Sequence, residues 1–293
     1  MSLVEQAIAR MRNQATAKAG QPDGAPKPVV PAPLLDPLPD LPKPQKHMTL
    51  DTLALRLEGY LPEEGRERQF TEHYRRIKRP LIDKALAGTA AVGEPHVIMV
   101  TSALPGDGKT FTSINLALSM ALERDISVLL VDCDVAKRHI TEVMGLKADG
   151  GLLDALVDES IDIESLVVQT NVRGLSILPA GRRMEAAAEL LSSNRMRHIV
   201  GSLCARHPRR IVVLDSPPLL ITNEGRALVK MAGQVVLVVR AGHTPQNAVQ
   251  EAMALFDMQQ AGGVILNQVM VSSIEGYYGY GSYGANETHG NAP

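Results

Sequence analysis

From Pro95 onward the chain alternates two hydrophobic periods. Short, nearly continuous apolar runs rich in β-branched residues recur as HVIMVTS (96–102), ISVLLVD (126–132), GLSILPA (174–180), RIVVLD (210–215), QVVLVVR (234–240) and GGVILN (262–267). Between them, helical spacing governs 110–123, 184–206, 223–231 and 245–259. Apolar runs without polar alternation predict strands covered on both faces. Their alternation with helices predicts a parallel sheet, and right-handed crossovers make a doubly wound α/β fold the expectation.

The first third of the chain reads differently. Leu3, Val4, Ala7, Ile8, Met11 and Ala15 recur at helical spacing, so residues 1–20 are expected to carry a short amphipathic helix. Residues 21–46 hold nine of the 19 prolines. Proline lacks an N–H and fixes φ, which predicts an extended linker. Residues 48–61 are a transition piece, and Glu64 to Ala87 reads as a long charged helix that Gly88 stops. Its RERQFTEHYRRIKRP segment fits either a solvated face with i,i+4 ion pairs or a subunit contact. A globular domain is expected over 47–267.

The other terminus departs again. EGYYGYGSYG (275–284) holds four of the six tyrosines, and neither Lys nor Arg occurs from Gln268 to Pro293. A Gly-rich, charge-poor end supplies no packing partners for tyrosine, so residues 268–293 are expected to form a flexible tail. Net charge of −2 gives no basic field for nucleic acid. Two cysteines, Cys133 and Cys204, suit a reducing compartment. No apolar run approaches ~18 residues and no basic-then-apolar leader opens the chain, so a soluble, cytoplasmic protein is expected.

Chemistry concentrates at the ends of the predicted strands. Ala103 to Thr110 (ALPGDGKT) follows the first of them and opens a helix. Glycines there let backbone N–H groups wrap phosphates, the helix N-terminus adds partial positive charge, Lys109 suits the β- and γ-phosphates, and the Thr110 hydroxyl suits Mg²⁺. Asp132 and Asp134 end one strand and Asp215 another. Carboxylates at strand C-termini of an open α/β sheet face the ligand crevice, where a phosphate-bound cation needs oxygen ligands or ordered water.

SALPGDGKTFTSINLA, VLLVDCDVAKR, IVVLDSPP, AAELLSSNRM, GGVILNQV and the tyrosine cluster together resemble the bacterial tyrosine kinases, P-loop autokinases of exopolysaccharide export, and among them the exosortase-associated branch. The resemblance covers roughly residues 64–284. Leu104 stands where the related partition and division-site ATPases carry an extra lysine. Asp107 replaces the usual Glu, Ala136 a frequent Arg, and the oligomer-contact helix reads Glu72-x-x-Arg75-x-x-Lys78 with Lys78 for the last Arg.

The resemblance implies ATP and Mg²⁺ as cofactors. Nucleotide contacts fall on Pro105, Gly106, Asp107, Gly108, Lys109, Thr110, Phe111 and Asn267, metal contacts on Thr110, Asp132 and Asp215, and catalytic roles on Lys109, Asp132, Asp134 and Asp215. Asp132 or Asp134 accepts the tyrosine proton. Tyr277, Tyr278, Tyr280 and Tyr283 are the implied phosphoacceptors. Implied partners are further copies of the chain, in a homo-oligomer that can be a ring, and a membrane-spanning chain-length regulator that recruits it to the inner face of the plasma membrane. Two rival readings use the same loop: a P-loop ATPase acting as a nucleotide switch, and a nucleotide-gated scaffold for a membrane partner.

Overall fold

A computed structural model describes residues 46–146 and 150–269. The expected helix at 2–18 and the tyrosine cluster lie outside the described residues, as does the proline-rich stretch up to residue 45. Eight strands form one sheet in the order β1-β4-β5-β3-β6-β2-β7-β8. They are β1 (Lys46–Met48), β2 (Glu94–Ser102), β3 (Ser127–Asp132), β4 (Val168–Thr170), β5 (Leu175–Leu178), β6 (Arg210–Asp215), β7 (Ala232–Arg240) and β8 (Ala261–Asn267). Neighbours run parallel except β4 and β5, which pair antiparallel.

Alternation along each strand builds two cores. Val97 and Met99 of β2 face one side, with Leu152, Leu191, Met196, Leu228 and Ala248. That side is covered by α5 (Leu152–Val157), α6 (Ala187–Ser192), α7 (Asn194–Ala205), α8 (Asn223–Val229) and α9 (Gln246–Met253). Ile98 and Val100 face the other side, with Leu55, Tyr74, Leu81, Ile114 and Ile140. There lie α1 (Thr52–Leu57), α2 (Glu67–Leu86), α3 (Lys109–Ala121) and α4 (His139–Val143). Each fully buried Leu, Ile or Val contributes roughly 1.5–3 kcal/mol, so the central strands are pinned in register by both cores. Gly93 permits the tight start of β2: it has φ +69, and a Cβ there would sit 2.6 Å from the Ala232 carbonyl carbon.

The predicted strands all form. The 184–206 stretch divides at Ser193, whose hydroxyl accepts the Met196 N–H at 3.2 Å and starts α7 anew. The 245–259 stretch is α-helical over Gln246–Met253 and ends in a short 3-10 helix, Met258–Gln260. Strands β1 and β4, neighbours at one side of the sheet, have three residues each, too few for a periodic signal. The transition piece contains α1, capped by Asp51. No helix among the described residues is long and apolar enough to cross a membrane.

Lys78, placed by sequence at a subunit contact with Glu72 and Arg75, is 4% exposed within its own chain. Its Nζ donates to the Ser119 carbonyl at 2.5 Å and pairs with Glu123 at 2.9 Å, tying α2 to α3. Glu72 is partly exposed, beside Arg75 at 3.1 Å and Arg76 at 3.6 Å. Buried Leu81, Ile82 and Ala85 turn α2 so that the 78 position faces inward.

Candidate active site

The segment 103–108 leaves the C-terminal end of β2 and enters α3 at Lys109. Gly106 and Gly108 adopt φ +88 and +93, left-handed values that favour glycine. A Cβ on Gly108 would also collide with the Asn267 amide. Helix α3 thus begins directly after a glycine-shaped loop, a placement whose backbone amides suit phosphate groups.

Adjacent strands bring the carboxylates to the same end. Asp132 and Asp215 pair directly in the parallel register of β3 and β6, and both are 0% exposed. Asp215 accepts from the Thr110 hydroxyl at 2.9 Å through Oδ2, and Ser113 Oγ lies 2.9 Å from its Oδ1. Asp132 Oδ2 accepts both the N–H and the hydroxyl of Thr141, at 2.9 and 2.6 Å. Lys109 Nζ stands 2.9 Å from Asp134 Oδ2, an ion pair buried on both sides. Lys109, Thr110, Asp132, Asp134 and Asp215 therefore converge.

Burial sets the electrostatics. Loss of water pushes the Asp132 carboxyl up to about 6, against the lowering effect of Thr141's hydrogen bonds, and the neighbouring Asp134 adds to the rise. Burial likewise pushes Asp215 up to about 7, although Lys109 pulls it down. Three crowded carboxylates with one lysine call for another cation. Asp132 Oδ1 is buried with no hydrogen-bond partner, which fits an acceptor reserved for a metal or its water. Among the described residues no three Asp, Glu, His or Cys side chains are grouped to chelate a metal alone. The donor set fits a cation that brings phosphate oxygens and water with it.

Other expected residues support the loop. The Asp107 carbonyl accepts from Asn267 Nδ2 at 2.9 Å. Phe111 meets Phe70 of α2 edge-on at 5.9 Å. Pro105 lies at the rim of an apolar pocket with Val135, Ala136, Pro217, Pro218 and Ile221 around Asp134. Cys133 is fully buried and its thiol is pushed well up by that burial, as suits a packing residue. Ser113 and Thr141 belong to the site as well, in addition to the expected residues. Ser113 lies one turn beyond the loop and could be inferred from helical spacing. Thr141 reaches Asp132 only through the chain path from β3 into α4, which has no local signature.

A family model described as an AAA domain matches residues 95–261, more than half of the chain. The Bacillus subtilis tyrosine-protein kinase YwqD is 32% identical over 186 residues, which cover 62% of this chain and 77% of that protein. The chain belongs to the bacterial tyrosine kinases. Within that family, the Salmonella typhimurium tyrosine-protein kinase wzc is 30% identical over 190 residues, 64% of this chain. The chain matches only 26% of the length of that larger relative. The crystal structure of the VpsO kinase domain has 30% identity and a TM-score of 0.57, covering 71% of this chain and all of that one. The family's kinase domain and the described β/α core are thus the same fold.

Proposed function

We propose that the protein is an ATP-dependent protein-tyrosine autokinase of exopolysaccharide export, which phosphorylates Tyr277, Tyr278, Tyr280 and Tyr283 on a neighbouring copy of itself. The observation that carries the reading is the convergence of Lys109, Thr110, Asp132, Asp134 and Asp215 at one end of the sheet, in a chain of this family.

ATP binds with its phosphates against the backbone amides of the loop. Lys109 turns from Asp134 to the β- and γ-phosphates, exchanging one anionic partner for another. Thr110, Asp132 and Asp215 would hold Mg²⁺ directly or through water, and the cation would supply positive charge beside the transferring phosphoryl group. Asp134 Oδ2, released by Lys109, accepts the proton of the acceptor tyrosine, whose resting pKa of about 10 keeps it neutral. The tyrosine Oη forms its bond to the γ-phosphorus as the bond to the bridging oxygen of ADP breaks. The apolar pocket around Asp134 suits an aromatic ring, and a serine or threonine side chain would leave it unfilled. Each phosphate then adds roughly −1.5 to −2 charge to the tail, which favours its release from an acidic crevice.

Assembly through Glu72 and Arg75, and activation at the inner face of the plasma membrane by a membrane-spanning chain-length regulator, belong to the same reading. The test is incubation of the purified chain with γ-labelled ATP and Mg²⁺, followed by site mapping. Label on the four tyrosines, lost in Lys109→Met, is expected. Release of free phosphate with unlabelled tyrosine would indicate a nucleotide switch and end the kinase reading.

A further inference from the structure

We propose that Thr244, on the turn between β7 and α9, is a positioning residue for the phosphate loop and acts through Asp107. The inference rests on the reading of that loop as the nucleotide site. Asp107 is the one side chain between Gly106 and Gly108, both in left-handed conformations. Glycines impose no shape of their own, so the loop's shape has to be held from outside, and Asp107 is the available handle.

Every polar function of Asp107 beyond its own N–H is engaged. Its Oδ2 accepts the Leu104 N–H across the loop at 3.3 Å. Its Oδ1 accepts the Thr244 hydroxyl at 2.7 Å. Its carbonyl accepts from Asn267 Nδ2, at the end of β8. The side chain is 4% exposed, so a carboxylate there requires such partners.

Thr244 is itself held on both sides. Its Oγ1 accepts the Arg240 N–H at 2.9 Å, and its own N–H donates to the Arg240 carbonyl at 3.0 Å. A hydroxyl has one proton, and with Arg240 occupying an acceptor position that proton is directed to Asp107. The Ala241 N–H donates to the Asn267 carbonyl at 2.9 Å, locking the ends of β7 and β8 together beneath the turn. Thr244 thus transmits the rigidity of the sheet to a loop that has none. It also keeps a negative side chain engaged with the turn and out of the path of incoming phosphates. Without the hydroxyl, Asp107 Oδ1 loses its partner and the carboxylate is free to turn toward an anionic ligand.

The experiment compares Thr244→Val, which keeps shape and removes the hydroxyl, with Thr244→Ser, which restores it. ADP with Mg²⁺ is the probe, titrated by calorimetry on the full chain. Thr244→Val is expected to weaken ADP binding about tenfold, the usual effect of losing one hydrogen bond to a charged group. Thr244→Ser recovers most of that loss. In Asp107→Ala, which leaves no acceptor, the further change Thr244→Val costs much less than it does in the wild type, because the route runs through the carboxylate. Equal ADP affinity in Thr244→Val and wild type overturns the proposal, as does full additivity with Asp107→Ala, or failure of Thr244→Ser to rescue. Because the readout is nucleotide affinity, a wild-type chain that binds ADP but makes no phosphotyrosine would refute the kinase reading and leave this inference standing.

Discussion

Asp215→Asn is expected to make the nucleotide-free protein more stable at pH 8 while abolishing its activity. Asp215 is fully buried, and its carboxyl rises from the ordinary 3.8 to about 7 through loss of hydration. The sign follows from proton linkage. Between about pH 4 and pH 7 the folded chain holds a proton on Asp215 that the unfolded chain has lost, so stability falls as pH rises across that window and levels off above it. A rise of roughly three pH units corresponds to about 4 kcal/mol at pH 8, an upper bound. Asparagine removes the charge but accepts only one of the two nearby hydroxyls well, so a net gain of about 2 kcal/mol is expected. Asp132, pushed up to about 6, keeps a smaller slope of its own in the variant. Urea denaturation in EDTA at pH 5 and pH 8 measures the effect: the two proteins should differ little at pH 5 and by about 2 kcal/mol at pH 8. Parallel stability curves for wild type and variant would refute the idea that burial without a counter-cation strains this carboxylate.

Other substitutions separate the remaining parts. Lys78→Met should lower stability by about 2 kcal/mol by stranding the Ser119 carbonyl and Glu123, and leave the mass of the assembly unchanged in light scattering at matched folded fraction. Thr141→Val removes a hydroxyl donor from Asp132; with one lowering influence gone, the Mg²⁺ dependence of nucleotide binding should shift to higher pH. Gly108→Ala meets both an unfavourable φ and the Asn267 amide, so ADP binding should be lost, with circular dichroism showing an intact fold.

Much of the fold was legible in order. Six strands, the long charged helix and the loop beneath α3 follow from runs of apolar residues and glycine placement, because burial on both faces of a parallel sheet needs uninterrupted hydrophobic stretches. The strand-end position of Asp132 and Asp215 was readable for the same reason. Family likeness supplied the link to tyrosine chemistry.

Only the folded chain decided who faces whom. Lys78 reads as one more surface cation until the apolar end of α2 turns it inward onto α3. Thr141, Ser113 and Thr244 carry no local mark, since each works by meeting a carboxylate on another element, 9, 102 and 137 residues away along the chain. Periodicity records whether a position prefers oil or water, a property of the residue and its near neighbours. Hydrogen-bond partners and displaced acidities depend on distance and solvent exclusion, and those exist only once the strands have been laid side by side.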